Sequence, residues 1–208
     1  EQLIAAEYTR TAGEPQQTRS VVIAEHGIVA TSQPLAAQVG LEVLRAGGNA
    51  ADAAVAASAM MGVVEPMSCG IGGDLFAIYW DAKSGTLNGL NASGRSPYAL
   101  NVKVFRDAGL DQIPANGPLA WSVPGCVDGW SVLLDRFGSQ SLKEVLEPSI
   151  GYAENGFPVS EIIASSWQHA TQHLLRWPDS AETYLIDGNA PRVGQIFHNP
   201  RLARTYRA

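Results

Sequence analysis

The sequence has 208 residues, of which 46% are hydrophobic and 16% are charged, and its formal net charge is −6. This composition is typical of a globular chain with one domain or two small ones, and it excludes an intrinsically disordered protein. The acidic balance argues against nucleic acid or an anionic membrane as a partner, and no apolar run in the sequence is long enough to span a bilayer.

The N-terminal region is polar and mixed, so residues 1–20 are expected to form an irregular arm ahead of one region over 21–208. No signal peptide is visible, because a basic stretch followed by an apolar one is missing. With only two cysteines, Cys69 and Cys126, the chain lacks a disulfide framework. Both observations favour the cytoplasm, and a periplasmic or secreted location would require a leader that has been removed.

Two short strands are predicted first, over residues 21–30. Ser32 is then the predicted N-cap of a helix whose first turn contains Pro34, and the glycine pair at 47–48 would end that helix.

A second helix is predicted over about 50–61, with Asn49 as its N-cap and Asp52 near the positive end of the helix dipole. This segment is rich in alanine and has almost no polar face. Because a helix that is apolar on all sides lies between other layers, we expect it at the centre of the fold.

A hairpin follows, made of a strand over 75–80, a turn over 81–85 and a strand over 86–90. It would deliver residues 91–95 at its far end. After a turn-rich stretch, further helices are predicted over about 127–137, 142–155 and 160–175.

The last predicted helix starts at Asn199 and Pro200, a cap residue followed by a proline at the first helical position. Because this helix stops after its first turns, we expect the chain to be part of a longer protein.

Three glycines, Gly70, Gly72 and Gly73, lie between the second helix and the hairpin. A phosphate-binding loop is disfavoured, because such loops follow a strand and open a helix, and the Lys-Ser/Thr pair of a P-loop is missing. Two interpretations stay open. The glycines form a tight turn that lets helix and strand pack closely, or they expose backbone N–H groups to a ligand or a developing oxyanion.

Arg95 lies in a turn-rich segment after the hairpin, between Gly94 and Pro97. Its planar guanidinium is suited to bind a carboxylate through two hydrogen bonds. The alternative is an ordinary exposed arginine.

The sequence contains few other residues of the types that form catalytic or metal sites. His169 and His173 have the spacing of a two-histidine metal site, but without a third ligand a solvated helix face is favoured, and neither a metal nor a cofactor is predicted. Cys69 could act as a nucleophile, but with no histidine nearby in sequence a small buried thiol is favoured. The hydrolase signatures G-x-S-x-G, S-x-x-K and HExxH are absent, so the chain shows no complete catalytic set.

One long run resembles the large subunit of the γ-glutamyltransferases, also called γ-glutamyltranspeptidases: RAGGNAADAAVAASAMMGVVEPMSCGIGGDLFAIYWDAKSG, residues 45–85. That family has GGNA-x-DAA-VA, VVEP and GIGGG in the same order, followed by an apolar strand and a turn. Further matches are ATSQPLAA at 30–37, GPLAWSVPG at 117–125 and NGFPVS at 155–160. The resemblance extends over about 21–205.

The resemblance implies an α+β fold, the four-layer αββα sandwich of the N-terminal-nucleophile hydrolases, to which this chain would supply the large-subunit part. Members of that family cleave their own precursor. The new N-terminal threonine of the small subunit is the nucleophile, and its own α-amine is the base. The threonine would lie beyond residue 208, so no catalytic residue is expected in this chain. The implied partner is the small subunit, in a heterodimer or a dimer of heterodimers.

The resemblance also assigns substrate-binding residues. In the family an arginine shortly after the hairpin binds the α-carboxylate of the substrate, and Arg95 stands in the corresponding place. Gly72, Gly73 and Asp74 would line the pocket floor. The sequence departs from the main family pattern at Asp74, where a glycine is usual, and in the Ala-Ser-Gly-Arg-Ser-Pro run around Arg95.

These departures resemble the branch that includes oxamate amidohydrolase and cephalosporin acylase-type proteins. We therefore expect an amidohydrolase or γ-glutamyl transferase that cleaves γ-glutamyl, glutathione-like or related carboxylate-bearing amides through an acyl-enzyme. The alternatives are an amidohydrolase for oxamate or a glutaryl-type amide, and a catalytically inactive binding homologue.

Overall fold

The computed structural model describes residues 22–208, which form a mixed helix and sheet structure. The predicted arm over 1–20 lies outside the described residues. The helices are α1 (Pro34–Arg45), α2 (Ala50–Val64), α3 (Val102–Asp107), α4 (Cys126–Phe137), α5 (Leu142–Asn155), α6 (Glu161–Leu174), α7 (Pro178–Tyr184) and α8 (Pro200–Arg207), with a 3₁₀ turn at Pro118–Ala120. The strands are β1 (Leu75–Asp81), β2 (Thr86–Ala92), β3 (Phe157–Pro158) and β4 (Ile196–Phe197).

The strands form two antiparallel pairs, β1 with β2 and β3 with β4. None of the helices in this range combines the length and the apolar character that a membrane crossing requires.

α2 is the central helix, as its apolar sequence predicts. It packs against α1, α4 and α5, and its buried residues lie all around the helix. It continues past the predicted end at residue 61 to Val64, because Val63 and Val64 are themselves buried in the same core.

The N-terminus of α2 has the predicted N-cap, Asn49, and Asp52 completes a capping box. Asn49 Oδ1 accepts hydrogen bonds from the N–H groups that open the helix, and Asp52 Oδ2 accepts one from Asn49 N at 2.7 Å. Asp52 is fully buried. Its carboxylate also accepts hydrogen bonds from Ser139 N at 3.0 Å, from Ser139 Oγ at 2.6 Å and from Gln140 N at 3.1 Å. One side chain thus joins the start of α2 to the connection between α4 and α5.

Two expectations for the segment ahead of α1 are wrong. Residues 22–30 form no strand, because no described segment pairs with their backbone and most of their side chains are exposed. Ser32 is not the N-cap of α1, since the cap residue is Gln33 and its side chain makes no capping bond. Ser32 Oγ instead donates to Glu65 Oε2 at 2.8 Å. The Ser32 hydroxyl, which the local pattern assigns to the N-cap of α1, therefore bonds the C-cap residue of α2.

β1 and β2 form the predicted hairpin, and successive side chains face opposite sides of it. The inner face packs on α4, where the rings of Tyr79 and Phe137 stack with their centroids 4.3 Å apart. The outer hairpin face is exposed in the described structure and carries these large apolar side chains: Phe76, Ile78, Trp80 and Leu87.

The helices of the C-terminal half lie nearly where the sequence predicts them. α5 starts with a capping box at Ser141, and α8 starts at Asn199, whose Oδ1 accepts a hydrogen bond from Leu202 N at 3.0 Å. The buried Tyr206 Oη donates to Ala59 O at 2.9 Å and so ties α8 to α2. The elements that the sequence patterns do not predict are the short ones: α3, α7 and the β3–β4 pair.

Candidate functional site

The hairpin brings the glycine turn and Arg95 to the same edge of the structure. Because Leu75 pairs with Ala92, the first residue of β1 and the last residue of β2 lie side by side. The glycine turn, residues 70–74, enters the hairpin at this edge, and residues 93–95 leave it there. The sequence-predicted site residues are thereby brought together: Gly72, Gly73, Asp74 and Arg95.

The segment that leads into α4, residues 122–126, makes hydrogen bonds to both the glycine turn and the Arg95 segment. Val123 N donates to Arg95 O at 2.7 Å. The N–H groups of Gly125 and Cys126 donate to Gly73 O at 3.2 and 3.1 Å. Since the first N–H groups of a helix have no partner within it, the Gly73 carbonyl also satisfies donors at the start of α4.

Ser122 adds a side-chain contact to this arrangement. Its Oγ donates to Asp74 Oδ1 at 3.1 Å, across 48 positions of sequence. The sequence patterns assign no role to Ser122, although it lies in the GPLAWSVPG motif. A serine in a turn-rich stretch carries no signal that identifies a partner so far along the chain.

Two glycines allow these segments to approach closely. A Cβ at Gly94 would lie 1.8 Å from Val123 O, and Gly94 has a φ of +77°. A Cβ at Gly125 would lie 2.2 Å from Ala92 O. Neither position accepts a side chain unless the backbone moves. We call the three segments together, residues 73–74, 92–95 and 122–126, the glycine junction.

Gly72 and Gly73, by contrast, border open space. A Cβ at Gly72 would meet no described atom within 4 Å, and a Cβ at Gly73 would make an ordinary contact with Gly70 O at 3.4 Å. Close packing of helix against strand is therefore not what requires glycine at these two positions. The turn presents its surface to solvent beside Asp74, which is also exposed.

The Arg95 side chain is exposed, and it makes no hydrogen bond or ion pair with any other residue between 22 and 208. Its backbone is held in place through the bond from Val123. A free guanidinium on a fixed backbone can bind a carboxylate with two parallel hydrogen bonds.

Cys69 and Cys126 are free thiols near the glycine turn. Burial raises the pKa of the Cys69 thiol, and the negative charge of Glu65 raises it further. Burial likewise raises the pKa of the Cys126 thiol, with smaller contributions from Cys69 and Asp74. Because the thiolate is the reactive form, this environment favours a packed thiol over a nucleophile.

His169 and His173 lie on α6 and are exposed, and His169 Nδ1 is 2.7 Å from Ser165 O. Their positions agree with the predicted solvated helix face. Among residues 22–208, no cluster of three or more His, Cys, Asp or Glu side chains could hold a metal ion.

Known proteins resemble this chain over most of its length. The sequence model of the gamma-glutamyltranspeptidase family matches residues 36–208. The glutathione hydrolase proenzyme of Bacillus subtilis (strain 168) is 33% identical over 193 residues, which cover 91% of this chain and 33% of that protein. The oxamate amidohydrolase proenzyme of Klebsiella pneumoniae is 36% identical over 191 residues, which cover 89% of this chain and 36% of that protein. The chain thus spans about a third of the length of these curated relatives.

Solved structures share the fold. The cephalosporin acylase from Bacillus halodurans superposes with a TM-score of 0.86 at 41% identity, over 94% of this chain and 38% of that chain. The gamma-glutamyltranspeptidase of Helicobacter pylori superposes with a TM-score of 0.85 at 30% identity, over 90% of this chain and 55% of that chain.

Proposed function

The chain belongs to the gamma-glutamyltranspeptidase family, and from this we propose that the whole protein is a self-processing amidohydrolase or γ-glutamyl transferase. Its nucleophile is the N-terminal threonine of a small subunit, which forms when the precursor cleaves itself. Its substrate is a γ-glutamyl amide such as glutathione, or a related amide whose acyl part carries a carboxylate. The proenzyme names of the relatives from B. subtilis and K. pneumoniae support a processed precursor.

The observation that carries this proposal is the exposed guanidinium of Arg95, which has no partner among residues 22–208 and lies beside an open glycine turn. A substrate carboxylate bound there would place the acyl chain over Gly72, Gly73 and Asp74. The amide carbonyl is then left free for the threonine of the small subunit.

The proposed reaction has two halves. The threonine hydroxyl attacks the amide carbonyl while the α-amine accepts the hydroxyl proton. Collapse of the tetrahedral intermediate breaks the C–N bond, and the leaving amine takes that proton, so that the acyl group remains as an ester on threonine. Water or an acceptor amine then attacks the ester and restores the hydroxyl. These steps need no cofactor.

A second candidate is an amidohydrolase for oxamate or for a glutaryl-type amide. It is favoured by Asp74, which stands where the main family pattern has glycine.

The full-length protein tests both candidates on γ-glutamyl-p-nitroanilide, glutaryl-p-nitroanilide and oxamate. We expect two bands on a denaturing gel, release of p-nitroaniline from the γ-glutamyl substrate and, for a transferase, a γ-glutamyl-glycylglycine product when glycylglycine is added. Turnover of only oxamate or the glutaryl amide would favour the second candidate. A single uncleaved band without turnover would contradict both and leave an inactive binding homologue.

We also propose that the outer hairpin face is covered in the mature protein by a sheet of the small subunit. Its four large apolar side chains are between 59% and 81% exposed in the described structure. A contiguous exposed apolar patch marks an interaction site, and a sheet buries its apolar face against another layer. A second sheet on this face would give the four-layer αββα arrangement that the family resemblance implies.

Ile78→Lys tests whether a sheet of the small subunit packs on the outer hairpin face. We expect the variant to yield far less processed heterodimer by size-exclusion chromatography, because an unpaired ammonium buried between the sheets costs about 3–5 kcal/mol. Ala82→Lys, in the exposed turn of the same hairpin, is the matched control and should assemble normally. Equal yields of heterodimer from the two variants would contradict the proposal.

A further inference from the structure

Two adjacent residues, Ser122 and Val123, touch both sides of the glycine junction. On the side of the glycine turn, Ser122 Oγ donates to Asp74 Oδ1 at 3.1 Å. On the side of the arginine, Val123 N donates to Arg95 O at 2.7 Å. Because the two residues share a peptide bond, a displacement of Ser122 is passed directly to the contact that holds Arg95.

The residues after Val123 are held independently of Ser122. Gly125 and Cys126 are buried and donate to Gly73 O, so the start of α4 does not depend on the serine hydroxyl. On the other side of Ser122, Trp121 is 65% exposed, so packing there does not replace the hydrogen bond. Loss of the hydroxyl would therefore loosen residues 121–123 and leave α4 in place.

We propose that Ser122 is a positioning residue for Arg95. Its hydrogen bond to the Asp74 carboxylate fixes Val123, and Val123 fixes the backbone from which the arginine side chain extends. The guanidinium then meets the substrate carboxylate in the direction that two parallel hydrogen bonds require. This inference rests on the proposed function, and it assigns Asp74 the role of orienting Ser122 besides lining the pocket floor.

The test measures KM and kcat of the processed full-length enzyme with γ-glutamyl-p-nitroanilide, or with glutaryl-p-nitroanilide if only that amide is turned over. Ser122→Ala is expected to raise KM about tenfold, because a misdirected guanidinium keeps one hydrogen bond to the carboxylate instead of two. The value of kcat should stay within about twofold, since the reacting groups lie on the small subunit. Ser122→Thr keeps the hydroxyl and should restore KM to within about twofold.

Ser84→Ala is the matched control. Ser84 Oγ donates to Asp81 Oδ2 at 2.6 Å, which is the same kind of serine–aspartate bond at the opposite end of the hairpin. The seven-residue strands place it roughly 20 Å from the glycine junction. Its KM should equal that of the unaltered enzyme.

A double variant separates this inference from the function on which it rests. If Ser122 acts through Arg95, adding Ser122→Ala to Arg95→Ala should change KM by less than about twofold. An unchanged KM in Ser122→Ala, together with a raised KM in Arg95→Ala, would overturn the positioning role and leave the proposed function standing. A full tenfold effect of Ser122→Ala in the Arg95→Ala background would also overturn it. An unchanged KM in Arg95→Ala would contradict carboxylate binding itself, and this inference with it.

Discussion

Arg95→Ala in the processed enzyme is expected to lower kcat/KM for γ-glutamyl-p-nitroanilide by about 10²–10³-fold, mainly through KM. The reason is that, in the proposed site, the substrate carboxylate would lose two charge-assisted hydrogen bonds. Arg95→Lys should recover part of the loss, because an ammonium supplies the charge but not the planar fork. Steady-state kinetics with the anilide measure the effect.

Arg106→Ala provides the control for this experiment. Arg106 is an exposed arginine on α3, in the segment that follows Arg95, so its loss changes the net charge by the same amount without touching the glycine junction. We expect its kcat/KM to stay within about twofold of the unaltered enzyme. Equal kinetics for the two alanine variants would show that Arg95 does not bind the carboxylate.

Asp52→Ala is expected to lower the free energy of unfolding by about 2–4 kcal/mol, because it removes a fully buried carboxylate that accepts hydrogen bonds from Asn49 N at the start of α2 and from Ser139 and Gln140 between α4 and α5. Urea denaturation of the processed enzyme measures this loss. Asp128→Ala removes an exposed acidic residue from the first turn of α4 and should cost less than about 0.5 kcal/mol. Similar losses for both variants would mean that general charge, and not the buried hydrogen bonds, is responsible.

The stabilisation by Asp52 should also depend on pH in a defined direction. Burial raises the pKa of its carboxyl. The hydrogen bonds from Ser139, Asn49 and Gln140 lower the pKa by more, so that it lies below the usual value of 3.8 in the folded state. The contribution is therefore fully present above 3.8 and is lost as the pH falls through the folded-state pKa. The stability difference between the unaltered enzyme and Asp52→Ala should shrink in urea titrations below that pH, and a constant difference would contradict this account.

The parts of the fold that the sequence predicts are those whose determinants are close together in the chain. The N-cap of α2 needs only Asn49 ahead of the helix, and the hairpin needs two apolar runs around a turn that ends at Gly85, whose φ is +67°. Both are confirmed. The edge shared by the glycine turn and Arg95 also follows from the hairpin, since its two ends must meet.

The parts that could not be predicted depend on partners far away in sequence. The hydroxyl of Ser32 suits a helix cap by every local criterion, yet it bonds Glu65, 33 positions later. Residues 22–30 have strand-like composition, but the described structure offers their backbone no pairing segment. Ser122 likewise has no local pattern that indicates Asp74, so the third segment of the site becomes visible only in the folded chain.

In the proposed site, the two glycines of the junction would restrict how substrate range can change, both in evolution and in engineering. A Cβ at Gly94 or Gly125 would overlap a backbone oxygen, so neither position is open to the small steps by which pockets usually diversify. Trp121 and Tyr98 lie near the junction in sequence and are 65% and 95% exposed, so substitutions there do not disturb the packing. If the proposed site is right, a saturation library that varies those two aromatic positions and spares both glycines would test for new acyl groups without touching the backbone contacts of Arg95.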